Sequence, residues 1–203
     1  MTLTIDEQDL HSKRQTLIDT ARRAFERGLQ TNAGGNLSVR LAGVDACVIK
    51  PSGVGYPECT HDNLMVVGFD GTILMGTLKP SKDKDFHLAI YRARPDVNSV
   101  VHVHSPWATG WAAAKRDLPL VTVQAIEKLG ALPSIPLGEN GGLQSAAQVE
   151  EVFRDKSIRG ALMHNHGTIG VGPTMLKALQ ICEIIEETAH IATVREIVSQ
   201  GGG

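Results

Sequence analysis

The 203-residue sequence predicts an α/β layered fold around a mainly antiparallel sheet. Three observations carry this expectation. Amphipathic helical periods stand near both ends of the chain, and short β-rich runs separated by turn residues fill Gly34 to Leu78. Beyond Leu78, strands and helices mix without the regular alternation that builds a doubly wound parallel sheet.

The elements follow in order. From Glu7 to Arg27 the apolar residues Leu10, Leu17, Ile18, Ala21 and Phe25 line one helical face, and Gly28 supplies the stop. Leu37 to Arg40, Cys47 to Lys50, Leu64 to Phe69 and Thr72 to Met75 read as strands of an antiparallel meander, with Asp70-Gly71 as a hairpin signal. A helix is expected from Lys82 to Arg94, because Phe86, Ala89, Ile90 and Ala93 share a face and Pro95 ends it. Ser99 to His104 reads as a strand, Trp107 to Lys115 as a short helix opened by Pro106, and Leu120 to Gln124 as a further strand. A glycine-rich loop then leads into a helix from Gln144 to Phe153. Arg159 to His164 reads as a strand, and Thr174 to Val194 as a long helix with Leu176, Ile181, Ile184, Ile185 and Ala189 inward. The closing Gly201-Gly202-Gly203 reads as a frayed end.

Composition narrows the function classes. Hydrophobic residues at 42% and charged residues at 21% suit one globular domain over residues 1–203 and argue against disorder. No apolar run approaches the roughly 18 residues that span a bilayer, so no membrane partner is expected. With a formal charge of -2 and scattered lysines and arginines, the chain lacks a basic field for a nucleic-acid backbone. Met1 to Leu10 is acidic and polar, unlike a secretory signal, which predicts a cytoplasmic location. Cys47, Cys59 and Cys182 are far apart and form no CxxC pair, so neither a disulfide framework nor a thiolate zinc site is expected.

The chemistry begins with Val100-Val101-His102-Val103-His104. On a strand, alternate residues share a face, so both imidazoles turn one way while Val101 and Val103 turn the other. Such a pair suits one metal ion, although two polar residues on a solvated strand would look the same. A second pair, His164-Asn165-His166, closes another β-run and raises the case, because neutral imidazole nitrogen suits zinc and other first-row divalent metals. One member of that pair would coordinate and the other would orient a ligand, touch substrate or pack; spacing leaves the choice open. Lys79-Pro80-Ser81-Lys82-Asp83 opens the helix that carries His87 and would favour an anion, but Ser81 alone reads equally as an N-cap. Gly34-Gly35-Asn36 and Lys50-Pro51-Ser52-Gly53 would let backbone amides approach an anion, or would simply be turns.

Taken together and in this order, Gly34 to Arg40, Ile49 to Val54, Lys79-Pro80-Ser81, His87 to Tyr91, Val101 to Ser105 and Asn165-His166-Gly167 resemble the class II aldolase/adducin family. That family includes fuculose-phosphate aldolases and ribulose-5-phosphate 4-epimerases. The resemblance runs from about Leu17 to Ala192. It implies a three-layer α/β/α sandwich and a homotetramer whose active sites lie between neighbouring subunits. It implies that His102, His104 and His166 hold the metal, leaving His164 outside the ligand set. It places Gly35, Asn36, Ser52, Gly53 and Ser81 on the phosphate-binding positions. Lys82 stands where the relatives carry serine, adding a positive charge beside a pocket for a phosphate or carboxylate. The aldolases carry Ser-Ser-Glu and the epimerases Ser-Ser-Asp at this place, so Asp83 matches the epimerase side. The epimerases also use a tyrosine near the C-terminus, whereas this chain has only Tyr56 and Tyr91. Glu127 is the one acid between Thr122 and Gly130.

The resemblance implies a lyase that stabilises an enediolate on a small sugar-phosphate-like substrate through a divalent ion, zinc first, with manganese or cobalt also suitable. The bond broken would be carbon–carbon, by retro-aldol cleavage or decarboxylation. Asp83 is the expected acid/base or metal-shell residue, with Glu127 as a second acid/base candidate. A 4-epimerase of a pentulose phosphate is the alternative, a dehydratase acting on a ketose phosphate a further one, and a non-catalytic adducin-like binding module the alternative from another class.

Overall fold

The computed structural model describes residues 4–136 and 143–200; the glycine-rich loop expected before Gln144 and the closing glycines lie outside them. Helix α1 (Glu7–Glu26) leads into strands β1 (Asn36–Arg40), β2 (Ala46–Ile49), β3 (Met65–Gly68) and β4 (Ile73–Met75). Then come α2 (Lys84–Ala93), β5 (Ser99–Val103), α3 (Pro106–Ala113), α4 (Val123–Leu129), β6 (Ser134–Ile135), α5 (Leu143–Phe153), β7 (Gly160–Met163), β8 (Gly167–Gly172) and α6 (Met175–Gln200). The strands form one sheet in the order β4-β3-β2-β1-β5-β8-β7-β6.

Strands β1 to β4 make the meander read from the turn residues, each pairing antiparallel with the next. At the tip between β3 and β4, Gly71 takes φ 92°, and Asp70 Oδ1 accepts from the Thr72 amide at 2.9 Å. The sheet as a whole is mixed, which corrects the expectation of a mainly antiparallel one. At its far edge β6 joins β7 in parallel, and α5 lies between them in the chain. Parallel neighbours need a crossover of this kind, and a hairpin cannot supply it.

Period-two alternation assigns each strand residue to a face. Val48, Val66, Val101 and Val103 enter one core with Leu17 and Ala21 of α1 and Leu179 and Cys182 of α6. Ile49, Met65, Val67 and Val100 enter a second core with Phe86 and Ile90 of α2 and Val149 and Phe153 of α5. A third cluster joins Trp111 of α3, Leu129 of α4 and Leu162 of β7 to Ile185 of α6.

Two local readings are overturned. Leu120 to Gln124 is not a strand: Thr122 caps α4, its hydroxyl accepting from the Ala125 amide at 3.1 Å, and Gly130 ends the helix at φ 66°. The β-branched Val121-Thr122-Val123 suggested a strand, but the threonine cap and glycine stop decide the segment. Strand β8, with sequence GTIGVG, had not been expected at all. Its glycines lower strand propensity, and packing explains them. A Cβ on Gly172 would sit 2.9 Å from the Ala178 amide nitrogen, and one on Gly170 would sit 2.8 Å from Cys182 Sγ. Thus α6 rests almost directly on the backbone of β8.

Candidate metal centre

Antiparallel pairing brings the end of β5 and the starts of β1 and β8 to one end of the sheet. Asn36 faces His102 across the β1–β5 ladder, and Val103 faces Thr168 across β5–β8. The β7–β8 hairpin closes through His164, Asn165 and His166 between the paired Met163 and Gly167. Asn165 adopts φ 56°, a conformation asparagine tolerates better than most residues, and His166 donates its amide to Met163 O at 3.0 Å. This tight tip sets the His166 ring beside those of His102 and His104, with centroids 4.6 and 4.9 Å away.

Ligating nitrogens of His102, His104 and His166 all lie within 4.8 Å of one another. His164 stays outside this group, its ring half-buried. His102 is fully buried, and its Nδ1 lies 2.9 Å from the carbonyl of Thr168. A carbonyl only accepts, so in the neutral ring Nδ1 carries the proton and Nε2 presents a bare lone pair. His104 Nε2 stands 2.9 Å from that lone pair. Burial and the neighbouring His166 and His104 rings push the His102 pKa well below its ordinary value. Burial and His166 lower that of His104 to about 4, against a smaller opposing pull from Asp83. Both rings are therefore neutral near pH 7, the form in which imidazole binds a metal.

Asp83, at the entrance to α2, completes the constellation. Its Oδ2 lies 3.9 Å from His102 Nε2 and 4.0 Å from His166 Nε2. The Asn36 amide nitrogen donates to this same oxygen at 2.8 Å and to Ser81 Oγ at 2.9 Å. Convergent imidazole nitrogens beside one carboxylate are a donor set that fits a first-row divalent ion, and three imidazoles alone do not fill such an ion's shell.

The remaining predicted residues divide. Ser52 donates its amide to Lys79 O at 2.9 Å, and Pro51 bridges to Pro80, so the Ser52-Gly53 loop lies alongside the segment that carries Ser81. Gly35 is buried, with φ 59°, and a Cβ there would sit 2.8 Å from His102 O, so a steric demand fixes glycine. Lys82 is exposed next to Ser81. Glu127 is exposed on α4, which packs on α6, and among the described residues it makes no hydrogen bond or ion pair with the histidines. A groove of about 1070 Å³ lined by Arg27, Lys128, Arg159, Lys177 and His190 contains none of the three histidines, so donor chemistry and not volume locates the centre.

Sequence reading passed over several supports. Gln30 Oε1 accepts the His104 amide at 2.8 Å, and the Tyr56 hydroxyl donates to His102 O at 2.7 Å. Lys50 is buried, and its ammonium donates to the carbonyls of Ala33, Pro51 and Val54, clipping two of the candidate anion loops together. Burial lowers its pKa. A lysine ending the apolar run Cys47-Val48-Ile49 was the available signal. His87 is also fully buried, bonded to Asn36 Oδ1 and to Ser38 Oγ.

Three clustered imidazoles beside a carboxylate, one of them fully buried, stand at the end of an α/β sheet and could hold a divalent ion. The chain belongs to the class II aldolase and adducin family: the Class II Aldolase and Adducin N-terminal domain model matches residues 15–193. It is an enzyme of that family. It is 31% identical to the 5-deoxy-D-ribulose 1-phosphate aldolase of Bacillus thuringiensis serovar kurstaki, over 90% of this chain and 84% of that one. Identity is again 31% to the 3-oxo-tetronate 4-phosphate decarboxylase of Escherichia coli K12, over 89% and 85%. It is the same to the L-ribulose-5-phosphate 4-epimerase UlaF of Salmonella paratyphi A, over 93% and 87%. The crystal structure of YgbL from Escherichia coli superposes with a TM-score of 0.84 at 30% identity, covering 91% of this chain and 90% of that one.

Proposed function

We propose that this chain is a divalent-metal-dependent lyase that breaks a carbon–carbon bond in a small sugar-phosphate-like substrate through an enediolate-type species, by retro-aldol cleavage or decarboxylation. The observation that carries this reading is the convergence of His102, His104 and His166 nitrogens within 4.8 Å, with Asp83 Oδ2 about equally far from two of them. A bound divalent ion, zinc first and manganese or cobalt next, supplies the positive charge that stabilises negative charge developing on the substrate's oxygens.

The chain's own residues do the rest. His102, His104 and His166 hold the ion. Asp83 stands where it takes up or returns the proton of a substrate hydroxyl, or completes the ion's shell. Ser52, Gly53, Ser81, Asn36 and Gly35, with the start of α2 and the exposed Lys82, grip the phosphate or carboxylate end of the substrate. Glu127 acts across a subunit boundary, in a homotetramer whose sites lie between neighbours. The protein works in the cytoplasm as one domain spanning residues 1–203, with helices on both faces of the sheet as an α/β/α sandwich; no described helix is long and apolar enough to cross a membrane.

Three relatives of equal identity are named for three reactions, so identity does not choose among them. Tyr56 and Tyr91 are both buried within the fold, so neither offers its phenol to a substrate, which supports the lyase over the epimerase. The test is incubation of the zinc-loaded protein with 5-deoxy-D-ribulose 1-phosphate, 3-oxo-tetronate 4-phosphate and L-ribulose 5-phosphate, with products separated by chromatography against epimer standards and weighed by mass spectrometry. A smaller carbonyl product or carbon dioxide supports the proposal. An epimer of unchanged mass overturns it in favour of isomerisation.

A further inference from the structure

We propose that His87 is a positioning residue for the metal centre: donating from Nε2, it locks the Asn36 amide in the one orientation that donates to Asp83. The proposal rests on the reading of His102, His104 and His166 as an ion site, but its chemistry is drawn from a separate set of buried residues.

Proton directions along this set follow from chemistry alone. The Asp83 carboxylate can only accept, so the Asn36 atom 2.8 Å away is the amide nitrogen. Its two hydrogens are then spent on Asp83 and on Ser81 Oγ. Asn36 Oδ1, on the other side of the amide, is left as an acceptor, and its close partner is His87 Nε2. His87 Nε2 must therefore carry a proton. The ring is fully buried and among the described residues no carboxylate contacts it, so it is neutral, and Nδ1 is bare. The Ser38 hydroxyl, 2.7 Å from Nδ1, donates to it, and its oxygen is free to accept from Tyr91 OH at 2.8 Å. Donation runs one way, from Tyr91 through Ser38, His87 and Asn36 to Asp83.

Asn36, Ser38, His87 and Tyr91 are all buried, so water does not compete for these bonds. An asparagine amide has two orientations related by a half-turn. The reverse one would set Oδ1 against the Asp83 carboxylate and the amide hydrogens against the proton of His87. His87 thus selects between the two, and through Asn36 it holds the carboxylate oxygen that lies 3.9 Å from His102 Nε2. Without the His87 donor, Asn36 keeps only its bonds to Ser81 and Asp83, the amide loses its anchor on the far side, and Asp83 is held less firmly beside the ion.

The first measurement needs no activity. Nitrogen NMR of the metal-free protein labelled in its histidine rings should show His87 as the neutral tautomer protonated at Nε2; an Nδ1-protonated ring overturns the proposal. The second is titration with zinc and cobalt ions of wild type, His87→Leu, His87→Gln and Ser38→Ala, each with its melting temperature. His87→Leu should bind the ions about 10–100-fold more weakly, the loss typical when an outer partner of a metal site is removed. His87→Gln, whose amide can donate to Asn36 Oδ1, should recover most of that loss. A folded His87→Leu that binds like wild type, or a glutamine variant no better than leucine, overturns the assignment. If the leucine variant fails to fold, Ser38→Ala decides: mixed His87 tautomers and weakened binding support the chain of donors, and an unchanged spectrum and affinity overturn it. Failure of the wild type to bind any divalent ion would defeat the proposed function, and the tautomer would still decide the role of His87.

Discussion

The hydroxyl of Tyr56 donates to the carbonyl oxygen of His102 at 2.7 Å, reaching it from the core that Val101 and Val103 enter. The imidazole of His102 lies on the other face of β5, so one residue is held from both sides of the sheet. Burial lifts the Tyr56 pKa well above its ordinary value, which keeps the hydroxyl a donor. Tyr56→Phe should leave the buried carbonyl short of this partner and cost about 1–3 kcal/mol, read as a lower urea midpoint of the metal-free protein. A change below about 0.5 kcal/mol would contradict the role given to this bond.

Gly35 meets the same carbonyl from another direction. Gly35→Ala should destabilise the protein by at least the ~1–2 kcal/mol that a left-handed conformation costs a residue with a Cβ. The added methyl would also press on the backbone oxygen of His102, which cannot swing aside as a side chain would. Thermal melts and zinc titration should both show the loss, whereas Gly43→Ala, with positive φ but open space, should lower the melt and spare zinc binding.

Acid should unfold this protein early. Burial lowers the His87 pKa from 6.5 to about 3 in the folded chain. Below pH 6.5 the unfolded chain takes up a proton that the native chain refuses until about pH 3. Stability from this residue is therefore complete above pH 6.5 and falls as the pH drops, by up to about 1.4 kcal/mol per pH unit. His102 and His104 act in the same direction. Urea midpoints in the presence of a chelator at successive pH values should show the slope, and His87→Leu should flatten it.

His102→Ala should abolish tight divalent-ion binding and turnover while leaving a folded chain. Equilibrium dialysis and far-UV circular dichroism give the two readouts. Retained turnover would remove His102 from the ligand set.

Asp83 and Glu127 should separate by assembly. Asp83→Asn and Glu127→Gln are each expected to lose at least about 100-fold in turnover, the scale of a missing acid/base group. Mixing the two inactive proteins under subunit exchange should restore part of the activity if sites form between subunits as proposed, because one site of the mixed assembly then carries both carboxylates. No recovery, or a fully active Glu127→Gln, would take Glu127 out of the reaction.

How much of this the sequence revealed depends on the range of the interaction. His102 and His104 were visible as a pair because strand alternation is local, and the helix with Phe86, Ile90 and His87 because 3.6-residue periodicity is local too. The choice of His166 over His164 was not in the spacing; it is made by the turn at Asn165, which aims one ring at β5 and leaves the other aside. The bonds from Asn36 to Asp83 and His87 join residues about fifty positions apart and depend on how α2 docks on β1. Nothing in the one-dimensional pattern marks them. Strand β8 was hidden for a related reason: its glycines are explained only by α6 lying on them. The misread segment at Thr122 shows local propensity losing to a capping residue. The parallel edge strand β6 is only two residues long, too short to leave a periodic signal.

Those glycines give β8, the strand that leads away from the His166 turn, its minimum thickness beneath the long C-terminal helix. Any side chain added at Gly170 or Gly172 would act as a wedge, lifting α6 or pushing the strand that carries the hairpin tip. A substitution at this contact, away from the chemistry, would then register as a displacement of the His166 ring, so the spacing of the three imidazoles is set partly by how closely α6 lies on β8.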